Sequence, residues 1–194
     1  MNADVFAKQY LRKLSLLFET IDTTVIAKII EVLEKANNSN ACVYVIGNGG
    51  SASTASHMVN DIGVGLRRRD LLNVNMQSLA DNTASCSAIA NDVGYDAIFS
   101  LQLQGILKKE DVVIALSCSG NSPNIIKACE YTKEVGATLI GVSGFDGGKL
   151  NSMSDISFHV ATNKGEYGLV EDMHMILDHI IYSYYIEKQK SFGM

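Results

Sequence analysis

Two turns rich in serine and glycine are the segments of this chain best suited to chemistry: Gly47-Asn48-Gly49-Gly50-Ser51 and Ser117-Cys118-Ser119-Gly120-Asn121-Ser122. Each follows a largely β-branched run, Cys42-Val43-Tyr44-Val45-Ile46 and Val112-Val113-Ile114-Ala115-Leu116, and each leads into a helix-like pattern. Glycine lets the backbone turn so that N–H groups converge, and the positive end of the following helix and the serine hydroxyls add attraction for an anion. Two such turns at the ends of two strands point to a pocket that grips a phosphate-bearing ligand. Other phosphate and acyl chemistries are unsupported. Gly47–Ala52 fits G-x-G-x-x-A, but the second strand ends at Met76-Gln77-Ser78, with no acid before Asp81 to hold a ribose hydroxyl. There is no G-K-[ST] phosphate loop and no G-x-S-x-G elbow. Cys118 has no acidifying partner nearby in sequence and reads as a small filler of the serine loop.

These turns need a scaffold. Residues 4–19 place Val5, Tyr10, Leu14, Leu17 and Phe18 at helical spacing, and Ile26, Ile29, Ile30, Val32 and Leu33 mark a second amphipathic segment that ends at Asn37-Asn38-Ser39-Asn40. From there the pattern alternates. Strands are expected near 42–46, 72–77, 112–116, 138–142 and 156–160, and helices near 53–65, 82–91, 96–107, 123–135 and 167–188. Pro123 suits the first turn of a helix capped by Ser122 or Asn121. Alternating β and α units with apolar strands predict an α/β fold, a three-layer αβα sandwich around a five-stranded parallel sheet, preceded by the helical pair. Ligands of such sheets bind beyond the carboxyl ends of the strands, where both turns fall. The expected organisation is a single domain over 1–194, with residues 1–38 as the helical pair and 39–194 as the core.

Composition sets the class. Hydrophobic residues make up 47% and charged residues 19% of the 194 positions, the balance of a soluble globular chain. A net charge of −5 argues against a nucleic-acid surface, and Arg67-Arg68-Arg69 is the only dense basic run, expected to be a solvated loop. No apolar stretch reaches the roughly 18 residues of a membrane span. The first residues mix Asp4, Lys8, Arg12 and Lys13 with apolar side chains, unlike a signal peptide. Four cysteines without CxxC spacing are expected to be reduced thiols of a cytoplasmic protein.

The segments VIGNGGSASTASH, AIANDVGYDAIFS, ALSCSGNSPNIIKA and GVSGFDGGKLNSMSDI resemble, in order and spacing, the sugar-isomerase (SIS) domain family, most closely its phosphoheptose isomerases. The resemblance covers nearly the whole chain. It implies a flavodoxin-like SIS fold and phosphate contacts from Ser117, Ser119 and Ser122. Asn48, Gly49, Gly50, Ser51, Asn91 and Asp92 match substrate-contacting positions, and Cys118 and Glu171 are counted with them. His57 and Asp61 stand four apart, so one helix face presents both, and Glu171 and His179 lie in the last helix. The resemblance makes these four the ligands of zinc, with Asp61, Glu171 and His179 in proton transfer. The chain differs from the family pattern in having Asp61 for glutamate, Glu171 for glutamine and Gly168 for a polar residue. His174, by contrast, reads as a packing residue.

The implied activity is aldose–ketose interconversion of sedoheptulose 7-phosphate and a heptose 7-phosphate through an enediol, with Asp61 or Glu171 as base and His179 as acid. The alternatives are a non-catalytic SIS protein that binds phosphosugars or the initiator DnaA, and an isomerase for another sugar phosphate. A homotetramer is expected, because Leu11, Leu14, Leu16, Leu17 and Phe18 nearly encircle the first helix. Tyr182, Tyr184 and Tyr185 are expected at a subunit contact.

Overall fold

A computed structural model describes residues 2–192. Helices α1 (Ala3–Phe18) and α2 (Thr23–Ser39) come first. Asn2 and Asp22 cap them, each side chain accepting from backbone N–H groups of the first turn. Then follow β1 (Cys42–Gly47), α3 (Gly50–Met58), β2 (Asn75–Ser78), α4 (Thr83–Asp92), α5 (Ser100–Leu103), β3 (Val112–Ser117), α6 (Pro123–Val135), β4 (Thr138–Phe145), α7 (Gly148–Met153), β5 (Ile156–Ala161) and the long α8 (Tyr167–Phe192).

All five strands run parallel in the order β2-β1-β3-β4-β5. The chain builds from β1 towards β2, then crosses to place β3 on the other side of β1. The carboxyl ends of β1 and β3, paired through Gly47 and Leu116, therefore flank the crevice where the order reverses. Side-chain alternation covers both faces. Val43, Val45, Val112, Ile114 and Leu116 pack with α2, α3 and α8, whereas Tyr44, Ile46, Val113 and Ala115 pack under α5, α6 and α7.

The structure departs from the sequence pattern in four places. The helix expected over 53–65 is α-helical only to Met58 and widens into a π-helix over Val59–Leu66. Gly63 and Gly65 lie where a methyl would press on Met76 and Tyr182, so this stretch packs close to β2 and α8. The helix expected over 96–107 is a single 3-10 turn, Tyr95–Ala97, and the short α5, bounded by Gly94 and Gly105 at positive φ. The Gly147-Gly148 turn opens α7. Tyr185 is buried in the chain's own core, which corrects the expectation that it faces another subunit.

Candidate functional site

Both glycine–serine turns, and the start of α8, close on one cavity of about 170 Å³ lined by Asn48, Ser51, Leu116, Ser117, Cys118, Ser119, Ser122, Tyr167 and Glu171. The first turn is shaped by Gly49, at φ +56°, a conformation that side chains resist. The Asn48 and Asn124 side chains exchange two hydrogen bonds of 2.9 and 2.8 Å, and the Tyr95 hydroxyl donates to Asn48 Oδ1 at 3.0 Å. This amide pair, with Asn124 almost wholly buried, fixes the first turn to the N-terminus of α6. Its cost is that the Asn48 oxygen already accepts two donors, so its protein partners compete with any ligand for it.

The second turn opens α6. Ser122 occupies the cap position, yet its hydroxyl makes no capping bond and lies 3.4 Å from the Ser117 hydroxyl. Pro123 has no N–H and the Ile125 N–H donates to Asn124 Oδ1, so the Asn124 N–H is the one left without an acceptor at the start of α6, where an external anion is favoured. Gly120, at φ +61°, packs so tightly on Gly147 that a methyl would overlap its carbonyl. Leu150 N–H donates to Gly120 O, and Lys149 N–H donates to Asn121 Oδ1, so α7 braces the loop. Cys118 is buried, and burial pushes its thiol up, away from thiolate character. Asn91 and Asp92, at the exposed end of α4, do not line this cavity; the Asn91 amide donates to Asp92.

Glu171 projects from the first turns of α8 onto α3. A methyl at Gly50 would overlap its carboxylate, so glycine is what lets the two helices approach here. Farther along the same two helices lies a second group, formed by His57, Asp61, Asp178 and His179, whose ligand atoms are all within 4.8 Å of one another. The Nε2 atoms of His57 and His179 face each other at 3.3 Å, and His57 Nε2 is 3.4 Å from Asp61 Oδ2 and 3.8 Å from Asp178 Oδ2. The structure thus unites His57, Asp61 and His179 as the sequence suggests, but the fourth member is Asp178. Glu171 stands apart from the group, because eight residues of helix put about 12 Å of rise between it and His179.

Sequence reasoning missed Asp178. It occupies the buried stripe of α8 with Val170, Met173, His174, Leu177 and Ile181, and the signal was an acid at an apolar-stripe position. Its side chain is fully buried, and neither oxygen has a hydrogen-bond partner. Burial, and then the charge of Asp61, push its carboxyl up to about 7. A buried carboxylate without partners, beside two converging imidazole nitrogens and a second carboxylate, is a donor set that fits a divalent cation. His174 packs as expected: it is buried, and its Nε2 lies 3.2 Å from the Ser143 carbonyl.

Among the described residues no helix is long and apolar enough to cross a membrane. Comparison with known proteins agrees with the geometry. A sequence profile of the SIS domain matches residues 6–144. The phosphoheptose isomerase of Helicobacter pylori strain P12 is 31% identical over 180 residues, covering 92% of each chain. That of Aliarcobacter butzleri is 35% identical over 168 residues, 80% of this chain and 87% of its relative. The solved phosphoheptose isomerase of Neisseria gonorrhoeae superposes with a TM-score of 0.81 at 26% identity, over 95% of this chain and 96% of that one. With its cavity between β1 and β3 and its likeness running through nearly its full length, the chain belongs to the SIS domain family and groups there with the phosphoheptose isomerases.

Proposed function

We propose that this chain is an aldose–ketose isomerase that interconverts sedoheptulose 7-phosphate and a heptose 7-phosphate. One observation carries the substrate length: the serine cavity and the histidine–aspartate group are joined by the same two helices. α3 runs from the first turn to His57, with Asp61 following in the π-helix, and α8 runs from Tyr167 and Glu171 to Asp178 and His179. A ligand with its phosphate among the serines must reach about 12 Å along these helices to meet the group. That length is of the order of an extended seven-carbon sugar phosphate and exceeds that of a pentose phosphate.

In this reading Ser117, Ser119, Ser122 and the N-terminus of α6 hold the phosphate, with no cation lining the cavity. Glu171, in the wall of that cavity, accepts hydrogen bonds from the sugar hydroxyls nearest the phosphate. Isomerisation moves a proton between C1 and C2, so two groups that exchange protons must share one face of those carbons. Asp178 is wholly buried and has no path to substrate, whereas Asp61 is partly open and His179 exposed. Asp61 therefore takes the carbon-bound proton, and His179 supplies one to oxygen. His57, Asp61, Asp178 and His179 are the residues that would hold zinc, which when bound polarises the substrate carbonyl. The two carboxylates would balance its charge.

A homotetramer is part of the same reading. α1 has no fully buried residue, and Phe6, Leu11, Leu16 and Phe18 are about half exposed or more. Light scattering should give about 84 kDa, four copies of 21.0 kDa. The four free thiols suit a cytoplasmic setting.

The deciding experiment incubates the purified protein with sedoheptulose 7-phosphate and with five- and six-carbon ketose phosphates, with and without zinc, following the aldose by NMR. Turnover confined to the seven-carbon ketose is expected. Binding of phosphosugars without turnover of any would replace the enzyme by a phosphosugar-binding regulator.

A further inference from the structure

Glu171 has a second neighbour through its helix. The next residue, Asp172, points about 100° round α8, away from the side that meets Gly50. There it accepts a 2.6 Å hydrogen bond from the hydroxyl of Tyr10 in α1. The fit is close: a methyl at Gly168, one turn earlier, would come within 2.9 Å of that hydroxyl, so the glycine makes room for the phenol. One turn of α1 farther on, Lys13 pairs with Glu166 at 2.6 Å, and Glu166 in turn accepts from Asn163 N–H just before α8. These two polar ties fasten a helix with no fully buried side chain to the segment that carries Tyr167 and Glu171. Partial burial and the neighbouring carboxylates push the Tyr10 phenol up to about 12, so it stays a hydrogen-bond donor at any working pH.

We infer that Tyr10 is a positioning residue: its bond to Asp172 sets the first turns of α8 and thereby holds the Glu171 carboxylate against Gly50, in the wall of the substrate cavity. This rests on the reading of that cavity as the sugar-phosphate site. The bond spans 162 residues of sequence and acts on the polar side of α8, opposite in character to the buried Leu169 and Val170 that seat the same turn. Losing it leaves the serine loop intact but frees the side chain proposed to meet the sugar hydroxyls.

Tyr10→Phe removes the hydroxyl and keeps the ring. With the seven-carbon ketose phosphate, KM should rise about fivefold with kcat changed less than twofold, while inhibition by inorganic phosphate, which meets only the serine loop, stays within twofold. In a Glu171→Gln background the same substitution should add less than a twofold effect, since both changes act through one carboxylate. Hydrogen exchange supplies a readout independent of turnover. Amides of 168–174 should exchange at least fivefold faster in Tyr10→Phe, with those of β3 unchanged. An unchanged KM, or equal KM losses in both backgrounds, would overturn the assignment. A wild-type chain that turns over no ketose phosphate would sink the functional reading instead. In that case unchanged exchange at 168–174 would overturn the Tyr10 assignment, and accelerated exchange would uphold it.

Discussion

Acid should unfold this protein partly through one histidine. His174 is buried between α8 and β4; its Nε2–H donates to the Ser143 carbonyl at 3.2 Å, and its Nδ1 has no partner. Protonating Nδ1 would create an N–H with nothing to bind and a charge without solvent. Burial, outweighing the Ser143 bond, and the nearby His159 therefore hold the imidazole down at about 4, from 6.5. The sign follows from proton counting. Between these values the unfolded chain carries the proton and the folded chain does not. The contribution is thus fully present above pH 6.5 and is lost as pH falls towards 4. A shift of this size corresponds to about 3 kcal/mol. The perturbation is His174→Gln, whose amide can still reach Ser143 but cannot titrate. Urea unfolding followed by circular dichroism from pH 7.5 to 4, with a chelator present, gives stability for both proteins. The wild type should lose about 3 kcal/mol more than the variant across this range, since carboxylates common to both cancel in the difference. Parallel profiles, within about 0.5 kcal/mol, would refute the claim that His174 is held neutral by its site.

Replacing Ser117, Ser119 and Ser122 together by alanine should weaken phosphosugar binding by at least about 1 kcal/mol in calorimetry, with the fold retained; unchanged affinity would remove the phosphate from this loop. Asp178→Asn should lower zinc affinity at least tenfold in a competition titration, because it takes one of the two carboxylates from the histidine–aspartate group, and equal affinity would exclude Asp178 as a ligand. Gly50→Ala should displace the Glu171 carboxylate and raise KM about fivefold. Its thermal midpoint should stay within about 3 °C, because alanine favours the helix and the flexible end of Glu171 can move; an unchanged KM would remove Glu171 from the cavity.

The scaffold was legible where local pattern and tertiary environment agree. The β-branched runs ending at Ile46 and Leu116 became neighbouring central strands, and Pro123 opens α6 behind Ser122. The loops that shape the cavity were legible because glycine marks close backbone approaches such as that of Gly120 to Gly147. Three features were not. Periodicity does not report helix width, so the π-helix over Val59–Leu66, set by close packing at Gly63 and Gly65, looked like ordinary helix. The six residues of α7 are too few for a period, so no helix is expected there. Asp178 joined the metal-type group because α8 packs its stripe against α3, a pairing of residues more than a hundred positions apart. The family resemblance instead put forward Glu171, which helix rise sets apart from His179.

The Tyr10–Asp172 tie has a consequence for how the chain is made. Synthesis proceeds from the N-terminus, so α1 emerges before the sheet and its partner in α8 after it. During that interval Leu14 and Leu17 of α1, which pack against the core in the folded chain, lack the part of it that α8 supplies, a period of exposure in which chaperones or neighbouring nascent chains can engage them. α8 also delivers Glu171, Asp178 and His179, so a ribosome-bound intermediate ending at β5 would carry the serine loops without the residues proposed to act on the sugar. Such long-range closure makes completion of the site a late folding event, slower than formation of the β-α units it rests on.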